Sequence, residues 1–142
     1  LKGYESIISK FIEADDEIAS NNGCYSHIPD LTNVYLEDSY VLAIDERTDG
    51  ITIRLDAVLT PGHSAYIAPG PDEQYCYRKG ALTFADATKI EWIQRSYTTY
   101  FDAAGEEDLG NIDSLAIEDG SYVVEGDWGI VRIESPVEPT FA

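Results

Sequence analysis

Basic residues are scarce in this chain, which has nine lysine and arginine residues against 27 aspartate and glutamate residues and a formal net charge of −18. The nine basic residues are scattered and form no run. Nucleic-acid-binding proteins need clustered positive charge to neutralise phosphates, so this scarcity excludes a nucleic-acid partner. The same imbalance repels anionic membranes and attracts basic proteins.

Long apolar runs and cysteines are scarce too. No run approaches the roughly 20 apolar residues that a membrane-spanning helix needs, and the first residues, Leu1–Glu5, lack the pattern of a signal peptide. Two cysteines, Cys24 and Cys76, are too few for a disulfide framework. These absences predict a cytoplasmic protein with reduced thiols.

Catalytic and metal-binding motifs are also missing. The chain contains no glycine-rich phosphate loop, no Gly-x-Ser-x-Gly elbow and no His-Glu-x-x-His motif. Its cysteines and histidines, Cys24, His27, His63 and Cys76, lack the two tightly spaced pairs of a typical zinc site, because twelve residues separate His63 from Cys76. We therefore expect no metal, no cofactor and no catalytic residues, which favours a non-enzymatic protein.

The composition that remains is that of a folded protein. Hydrophobic residues make up 44% and aromatic residues 11% of the 142 residues, and ten of them are tyrosines. This length predicts one domain, residues 1–142, with a single core. From Leu1 to Ala19, apolar residues recur at three- and four-residue steps, which predicts one amphipathic helix that Asn21-Asn22-Gly23 ends.

After this segment the apolar residues alternate with a period of two, which is typical of strands. A two-residue turn at Asp49-Gly50 predicts a hairpin with apolar residues on one face and an ion pair on the other. The predicted pairs are Ile44–Leu55, Leu42–Ala57, Tyr40–Leu59 and Asp45–Arg54. A one-residue slip would move every apolar side chain to the other face, so the agreement favours this register.

Further turns at Asp119-Gly120 and Gly126-Asp127 predict a three-stranded meander over residues 112–135. Its pairs are Ile117–Tyr122 and Leu115–Val124, with Val131 beside Tyr122 on the same face. Across the two hairpins we predict burial of Tyr40, Leu42, Ile44, Leu55, Leu115, Ile117, Tyr122, Val124 and Val131.

Weaker signals complete the sheet content. A hairpin across Lys79-Gly80 pairs Tyr77 with Leu82 and Tyr75 with Phe84, although lysine disfavours the positive φ of such a turn. The alternation over Lys89–Arg95 predicts another strand, with Ile90 and Trp92 on one face. Seven to nine short strands with one N-terminal helix predict an α+β fold, mainly antiparallel β, arranged as a sandwich or an open barrel.

Negative charge is concentrated at the end of the chain, where residues 100–142 hold eleven acidic side chains and one basic side chain. The loop over residues 102–113 has oxygen donors that suit Ca²⁺, but it lacks the ligand spacing of an EF-hand, so we expect no calcium site there. Because predicted strands hold this charge in place, we predict that Glu106, Glu107 and Asp108 bind a basic protein partner.

Trp128 belongs to the same predicted interface. The alternation that turns Val131 inward places Trp128, Ile130 and Val123 on the opposite face of the meander. Either another element of the chain or a partner covers such an apolar face. Burial within its own domain is the ordinary explanation for such a face. If Trp128 lies outward, we predict that it is the apolar anchor for the basic partner, and a second copy of the chain is an alternative partner.

Several stretches carry a resemblance to known proteins: Leu36-Glu-Asp-Ser-Tyr-Val-Leu-Ala-Ile-Asp, Cys76-Tyr-Arg, Ile90-Glu-Trp, Asp108-Leu-Gly-Asn-Ile-Asp and Gly126-Asp-Trp-Gly. From residue 36 onward the chain resembles small uncharacterised bacterial proteins. As an acidic, β-rich chain ending in a Gly-Asp-Trp-Gly hairpin, it also resembles immunity proteins of bacterial toxin systems. The resemblance carries no catalytic residues and implies a protective, toxin-binding role.

Two alternatives to a binding module stay open. One is a small-molecule-binding or hydrolytic, barrel-like domain with His63, Tyr66 and the acidic loop over residues 102–113 at the mouth of a pocket. The other is adaptation to salt, in which the acidity has no specific role, since acidic surfaces favour solubility by themselves. A pocket would favour the first alternative, and a flat acidic face with an exposed aromatic residue would favour the binding module.

Overall fold

The computed structural model describes residues 25–101, 105–118 and 120–142. The predicted helix over residues 1–19, its end at Asn21–Gly23 and Cys24 lie outside the described residues. Within the described ranges, the helical elements are two short 3-10 helices, Tyr25–His27 and Pro29–Leu31. No helix in this part of the chain is long and apolar enough to cross a membrane.

Ten antiparallel strands make up most of the described chain, which confirms the prediction of mainly antiparallel β-structure. They are β1 (Val34–Arg47), β2 (Gly50–Leu59), β3 (Cys76–Phe84), β4 (Lys89–Arg95), β5 (Tyr100–Phe101), β6 (Glu107–Asp108), β7 (Ile112–Glu118), β8 (Ser121–Gly126), β9 (Gly129–Glu134) and β10 (Thr140–Phe141). One four-stranded sheet has the order β1-β2-β3-β10, a second has the order β4-β9-β8-β7, and β5 pairs only with β6.

The two four-stranded sheets share one core and meet at one corner. Phe84 of the first sheet and Tyr122 of the second are in contact within that core, with ring centroids 5.6 Å apart. At the corner, the backbone of Val41 donates a hydrogen bond to the Gly110 carbonyl at 2.7 Å and accepts one from Leu109 N–H at 2.8 Å. The segment before β7 is thereby attached to the edge of β1.

The predicted meander is confirmed. Leu115 lies opposite Val124 and Ile117 opposite Tyr122, as the turn at Asp119-Gly120 requires. The next turn differs by one position: Gly126 pairs with Gly129, so the turn residues are Asp127 and Trp128 and the register moves by two. A two-residue shift preserves the face, and Val131 is buried as predicted, although opposite Val124.

The β1–β2 hairpin also turns one position away from the prediction. Arg47 pairs with Gly50, so the turn residues are Thr48 and Asp49, and Ile51 joins β2 opposite Phe84 of β3. Ile44 therefore faces Ile53, on the same face as Leu55 because the shift is again two residues. The predicted pair of Asp45 with Arg54 is wrong, since Asp45 lies opposite Thr52 and forms an exposed ion pair with Arg47 at 3.5 Å.

Two bulges in β1 change the face further along the strand. The register shifts once between Val41 and Ala43 and again between Tyr35 and Tyr40. Val41 is consequently buried opposite Leu55, whereas Tyr40 turns outward opposite Asp56 and is 42% exposed. The predicted burial of Tyr40 is therefore wrong, because the extra residue in the bulge between Val41 and Ala43 exchanges the two faces.

The predicted hairpin across Lys79-Gly80 is wrong. β3 runs straight through these residues and pairs with β2 over nine positions, from Ile51–Phe84 to Leu59–Cys76. A long partner strand pairs with β3 along its whole length, whereas a turn at this point would need a positive φ at lysine. In the straight strand Leu82 and Phe84 face the core, while Tyr77 and Lys79 face outward.

The rest of the predicted core falls into two groups. Leu55, Leu115, Tyr122 and Val124 are buried, as is Val131. Leu42, Ile44 and Ile117 are half-buried. Strand β4 is confirmed, and its Ile90 and Trp92 pack against the core from one face.

Candidate functional site: a tyrosine cleft

The outer face of the first sheet carries a row of polar and aromatic side chains. Tyr40 of β1 lies opposite Asp56 of β2, and Asp56 lies opposite Lys79 of β3. Tyr77, two residues before Lys79, belongs to the same face because strand side chains alternate. This face of the sheet forms one wall of a cleft.

Tyr100, Phe101 and residues 105–111 contribute the opposite wall. Two carboxylates hold its end in place: Asp108 accepts a hydrogen bond from Gly110 N–H at 2.8 Å, and Asp127 accepts one from Asn111 N–H at 3.2 Å. Gly110 has a φ of +100°, and a β-carbon there would lie 2.5 Å from the Asp127 carboxylate. Only glycine therefore fits at this position, where the wall bends toward β1.

The cleft between these walls has a volume of about 620 Å³. It is lined by Tyr40, Leu42, Asp56, Tyr77, Tyr100, Phe101, Glu106, Asp108, Gly110, Asn111 and Asp127. An adjoining cavity of about 260 Å³ shares Tyr40, Tyr77 and Asn111 and adds Asp38, Gln74 and Tyr75. We call the two together the tyrosine cleft. None of these described lining residues is basic, whereas five of them are aspartate or glutamate.

Three tyrosine rings are grouped in the cleft. The Tyr40 and Tyr77 ring centroids are 6.1 Å apart with the rings tilted by 30°, and Tyr75 meets Tyr77 edge-on at 6.0 Å. The Tyr75 hydroxyl donates a hydrogen bond to Asp38 Oδ2 at 2.7 Å, which orients that carboxylate beside the rings. Aromatic faces and an oriented carboxylate thus lie side by side.

The electrostatic field of the cleft is negative. Partial burial, followed by the neighbouring Tyr40, Asp38 and Asp56, raises the pKa of Tyr77 to about 12. The hydrogen bond to Asp38 raises the pKa of Tyr75 as well. Both phenols therefore stay protonated at neutral pH. The part of these pKa shifts that the aspartate charges cause reflects a negative field, which favours a positively charged ligand.

A lysine lies at the rim of the cleft. Lys79 Nζ is 3.3 Å from Glu106 Oε1, and the Lys79 side chain is 62% exposed. An ion pair this exposed contributes little to stability, because water screens both charges. Lys79 is the nearest basic neighbour of Asp56 along the paired strands, and it partly offsets the negative charge on that side.

The structure places the predicted partner-binding residues in different surroundings, and only some of them line the cleft. Glu106 and Asp108 line the tyrosine cleft, whereas Glu107 between them is exposed and does not line it. Trp128 is covered by its own chain and does not meet the condition for a partner anchor, since it is 1% exposed and packs edge-on against Trp92 at 5.9 Å. As a turn residue Trp128 escapes the strand alternation, and the missing side chain of Gly126 makes room for its indole, with Nε1 2.5 Å from where a β-carbon would lie.

The predicted pocket is present in part. Its acidic loop contributes Glu106, Asp108 and Asn111 to the cleft, but His63 and Tyr66 are not among the lining residues. His63 Nδ1 instead accepts a hydrogen bond from Ala65 N–H at 3.0 Å, which stabilises its own turn, and Tyr66 packs against the core. His63 and Tyr66 therefore have local structural roles away from the cleft.

The sequence has possible metal ligands at two places: the cysteines and histidines, and the loop over residues 102–113. In the described part of the chain, no three His, Cys, Asp or Glu side chains are arranged to hold a metal ion, and Cys24 and Asp102 lie outside it. Burial, followed by Asp127 and Glu125, raises the pKa of Asp113 at the start of β7. Asp113 is not among the lining residues of the cleft.

The sequence analysis does not identify most residues of the cleft, among them Tyr40, Asp56, Tyr77 and Asp127. It predicts Tyr40 in the core and Tyr77 in a hairpin that does not form. The available signal was the alternation of Tyr75 and Tyr77, which places two tyrosines on neighbouring positions of one sheet region. No protein-family model, curated protein or solved structure matches this chain.

Proposed function

We propose that this chain is a non-enzymatic binding module that recognises a positively charged group of a basic protein partner in the tyrosine cleft. The observation that carries the proposal is the lining itself, in which aromatic faces and five carboxylates meet and no described lining residue supplies a cation. Aromatic faces attract cations through their quadrupole, and carboxylates attract them directly.

A macromolecular partner is favoured by the exposure of the aromatic residues. Tyr40, Tyr77 and Tyr100 are each more than 40% exposed, and Phe101 is 70% exposed. Four of the large apolar side chains exposed in the described residues thus lie around one cleft. Exposed tyrosine and phenylalanine are typical of protein interfaces, where they provide contact area at little entropic cost.

Net charge supports the same partner. A formal charge of −18 steers basic proteins toward this chain and accelerates their association at low salt. An immunity-type role is one specific form of this proposal: many toxins that act on nucleic acids have a basic substrate site, which an acidic protein blocks by binding there.

Binding rather than catalysis is favoured by the direction of the phenol shifts. General acids and bases work best when their pKa lies near the working pH. The pKa of Tyr77 is raised to about 12 and that of Tyr75 is also raised, so both move away from neutrality. These shifts suit neutral aromatic faces that contact a ligand.

A small cationic molecule is the second candidate. The observation in its favour is the volume of about 620 Å³, which falls within the range of small-molecule pockets. Binding of such a molecule would be retained when the exposed rim residue Phe101 is changed to serine, whereas binding of a protein partner would weaken.

The test of the proposed function is a calorimetric titration with a defined peptide of mixed lysine and arginine that carries about six positive charges. We expect binding at about 50 mM salt that weakens steeply at about 500 mM salt. The double variant Asp56→Asn/Glu106→Gln is expected to lose about tenfold in affinity, because both carboxylates line the cleft.

The matched control is Glu91→Gln/Glu107→Gln, which removes the same charge from exposed positions outside the cleft. Its affinity is expected to fall by less than about threefold. Equal losses in both double variants would show that net charge alone attracts the peptide, as in salt adaptation. Failure of the wild-type chain to bind at low salt would contradict the proposal outright.

A further inference from the structure

One arginine of this chain is already held by aromatic rings and a carboxylate. Arg95 Cζ lies 4.0 Å from the centroid of the Trp92 ring and 4.9 Å from that of Tyr97. Glu46 Oε1 completes this Arg95 cage, since it lies 3.4 Å from Arg95 Nη1 and accepts a hydrogen bond from Trp92 Nε1 at 3.0 Å. An aromatic donor thus orients the carboxylate that meets the guanidinium.

The tyrosine cleft contains the same kinds of group: aromatic rings, an aromatic donor and a carboxylate that the donor orients. The rings are Tyr40 and Tyr77, the aromatic donor is Tyr75, and the carboxylate that it orients is Asp38. Asp56 adds a second carboxylate beside Tyr40. Tyr40 and Tyr77 line both cavities, so a side chain that enters either one passes these rings.

Lysine behaves differently on the same surface. Lys79 lies opposite Asp56 on the neighbouring strand, its ammonium is 3.3 Å from Glu106 Oε1 at the rim, and its side chain stays 62% exposed. An ammonium is compact and strongly hydrated, whereas a guanidinium is planar, less strongly hydrated and able to stack on a ring while donating hydrogen bonds at its edge. The geometry of the cleft suits the second kind of cation.

Resting on the proposed function, we infer that the tyrosine cleft is an arginine-binding site. The guanidinium of a partner stacks on the faces of Tyr77 and Tyr40, and its N–H groups donate to the carboxylates of Asp38 and Asp56. Arginine fits both the negative charge of the lining and its aromatic rings. A lysine fits the charge, and an uncharged ligand such as a sugar fits the rings; the test below distinguishes these ligands from arginine.

The test uses three peptides that differ only in one residue type: arginine, lysine or citrulline, the uncharged analogue of arginine. Each is titrated calorimetrically into the wild-type chain at low salt. We expect the arginine peptide to bind about tenfold more tightly than the lysine peptide, and the citrulline peptide to show no binding. Preferential binding of the citrulline peptide would identify an uncharged ligand and overturn the inference.

Two substitutions of Tyr77 distinguish stacking on its ring from other contributions to the arginine preference. Tyr77→Phe keeps the aromatic face and is expected to keep the arginine preference, whereas Tyr77→Leu keeps apolar bulk without the face and is expected to reduce the ratio to about one. Tyr97→Leu removes a ring of the Arg95 cage and serves as the control, with an unchanged ratio. Should Tyr77→Leu fail to fold, as judged by circular dichroism, Tyr40→Leu provides the same comparison.

The outcomes distinguish this inference from the proposed function. Equal affinities of the arginine and lysine peptides for the wild-type chain would overturn the arginine site and leave a general basic-partner module. An arginine preference that survives in both Tyr77→Leu and Tyr40→Leu would place the arginine outside the cleft and would also overturn the inference. The absence of binding by both cationic peptides would overturn the inference and the proposed function together.

Discussion

The Arg95 cage and the tyrosine cleft contain the same classes of side chain, and they differ in where the cation comes from. In the cage, Arg95 of β4 supplies it and meets Trp92, Tyr97 and Glu46. In the cleft, the described lining supplies rings and carboxylates and no cation. The cage, which contains its own cation, stabilises the fold, whereas a cleft whose described lining supplies no cation is suited to a cationic partner.

The two regions also differ in what supports them. Trp92 of the cage contacts Trp128, which is buried in the core, so the cage is built on the interior of the protein. The cleft lies on the outer face of the first sheet. Residues 105–111 contribute to its second wall, and their position depends on backbone hydrogen bonds to β1 and on two carboxylates. Substitutions at the cage should therefore affect stability, and substitutions at the cleft should affect binding.

The largest effect is expected at Trp128. Trp128→Ala removes a buried indole and leaves a cavity beneath Trp92, so we expect the free energy of unfolding to fall by about 3–5 kcal/mol. Chemical denaturation measures this change. The folded fraction of the variant is expected to bind the arginine peptide with wild-type affinity, because Trp128 does not line the cleft.

Trp128→Phe is the matched control. It keeps an aromatic ring and removes the indole Nε1–H, which has no hydrogen-bond partner among the described residues. Removal of this unsatisfied donor partly offsets the packing that is lost with the smaller ring. We expect the free energy of unfolding to fall by about 1–2 kcal/mol. A Trp128→Ala variant of unchanged stability would contradict the burial on which the contrast between cage and cleft depends.

An intermediate effect is expected at the rim lysine. Lys79→Met keeps most of the apolar side chain and removes the charge that lies beside Asp56 and Glu106. The affinity for the arginine peptide is expected to rise about two- to threefold, with a change in unfolding free energy below about 0.5 kcal/mol. Calorimetric titration measures the first quantity and urea denaturation the second.

Lys89→Met makes the same charge change on β4, outside the lining of the cleft. We expect a smaller gain in affinity from this control, since only the net charge changes. If both lysine variants gained equally, the position of Lys79 beside the cleft would be irrelevant and the local field of the cleft would not determine binding.

The smallest effect is expected in the pH dependence of stability. The pKa of Tyr77 is raised to about 12 in the folded chain, against an ordinary value near 10 in the unfolded chain. Between these values the unfolded state binds fewer protons, so the stability contribution of Tyr77 is complete below about pH 10 and is lost as the pH rises toward 12. Urea denaturation measures the free energy of unfolding of wild type and of Tyr77→Phe below and above pH 10. The difference between the two proteins is expected to change across this pH.

Ultraviolet titration of the phenols sharpens this prediction. Wild type should contain one more high-pKa phenol than Tyr77→Phe. Saturation with the arginine peptide is expected to lower the pKa of Tyr77, because a guanidinium next to the ring favours the phenolate. A pKa that is unaffected by a bound arginine peptide would place the guanidinium elsewhere.

Local signals predicted part of the fold well. The β7–β8 hairpin follows from a turn at Asp119-Gly120 between two alternating runs, and its pairs Leu115–Val124 and Ile117–Tyr122 are confirmed. Strand β4 follows from the alternation over Lys89–Arg95. In these places one turn or one period determines the structure, and no distant segment competes with it.

The elements around the cleft were predicted poorly for one common reason. The bulge that turns Tyr40 outward and the pairing that keeps β3 straight through Lys79 both depend on β2 as a partner strand. A bulge inserts residues without any change in the alternation that precedes it. The wall that includes Leu109 and Gly110 depends in turn on Val41 of β1, more than sixty residues earlier in the chain.

The sequence by itself determined the chemistry of this protein: a formal charge of −18, ten tyrosines and runs of alternating residues that form antiparallel strands. Tertiary structure decided which of these side chains meet. Trp128 is buried at a turn that the neighbouring glycine makes possible. A bulge in β1 turns Tyr40 outward. The cleft brings Asp56 and Tyr77 together with Glu106 and Asp108. Composition and periodicity are local properties of a chain, whereas a cleft requires the register between strands that are far apart in sequence.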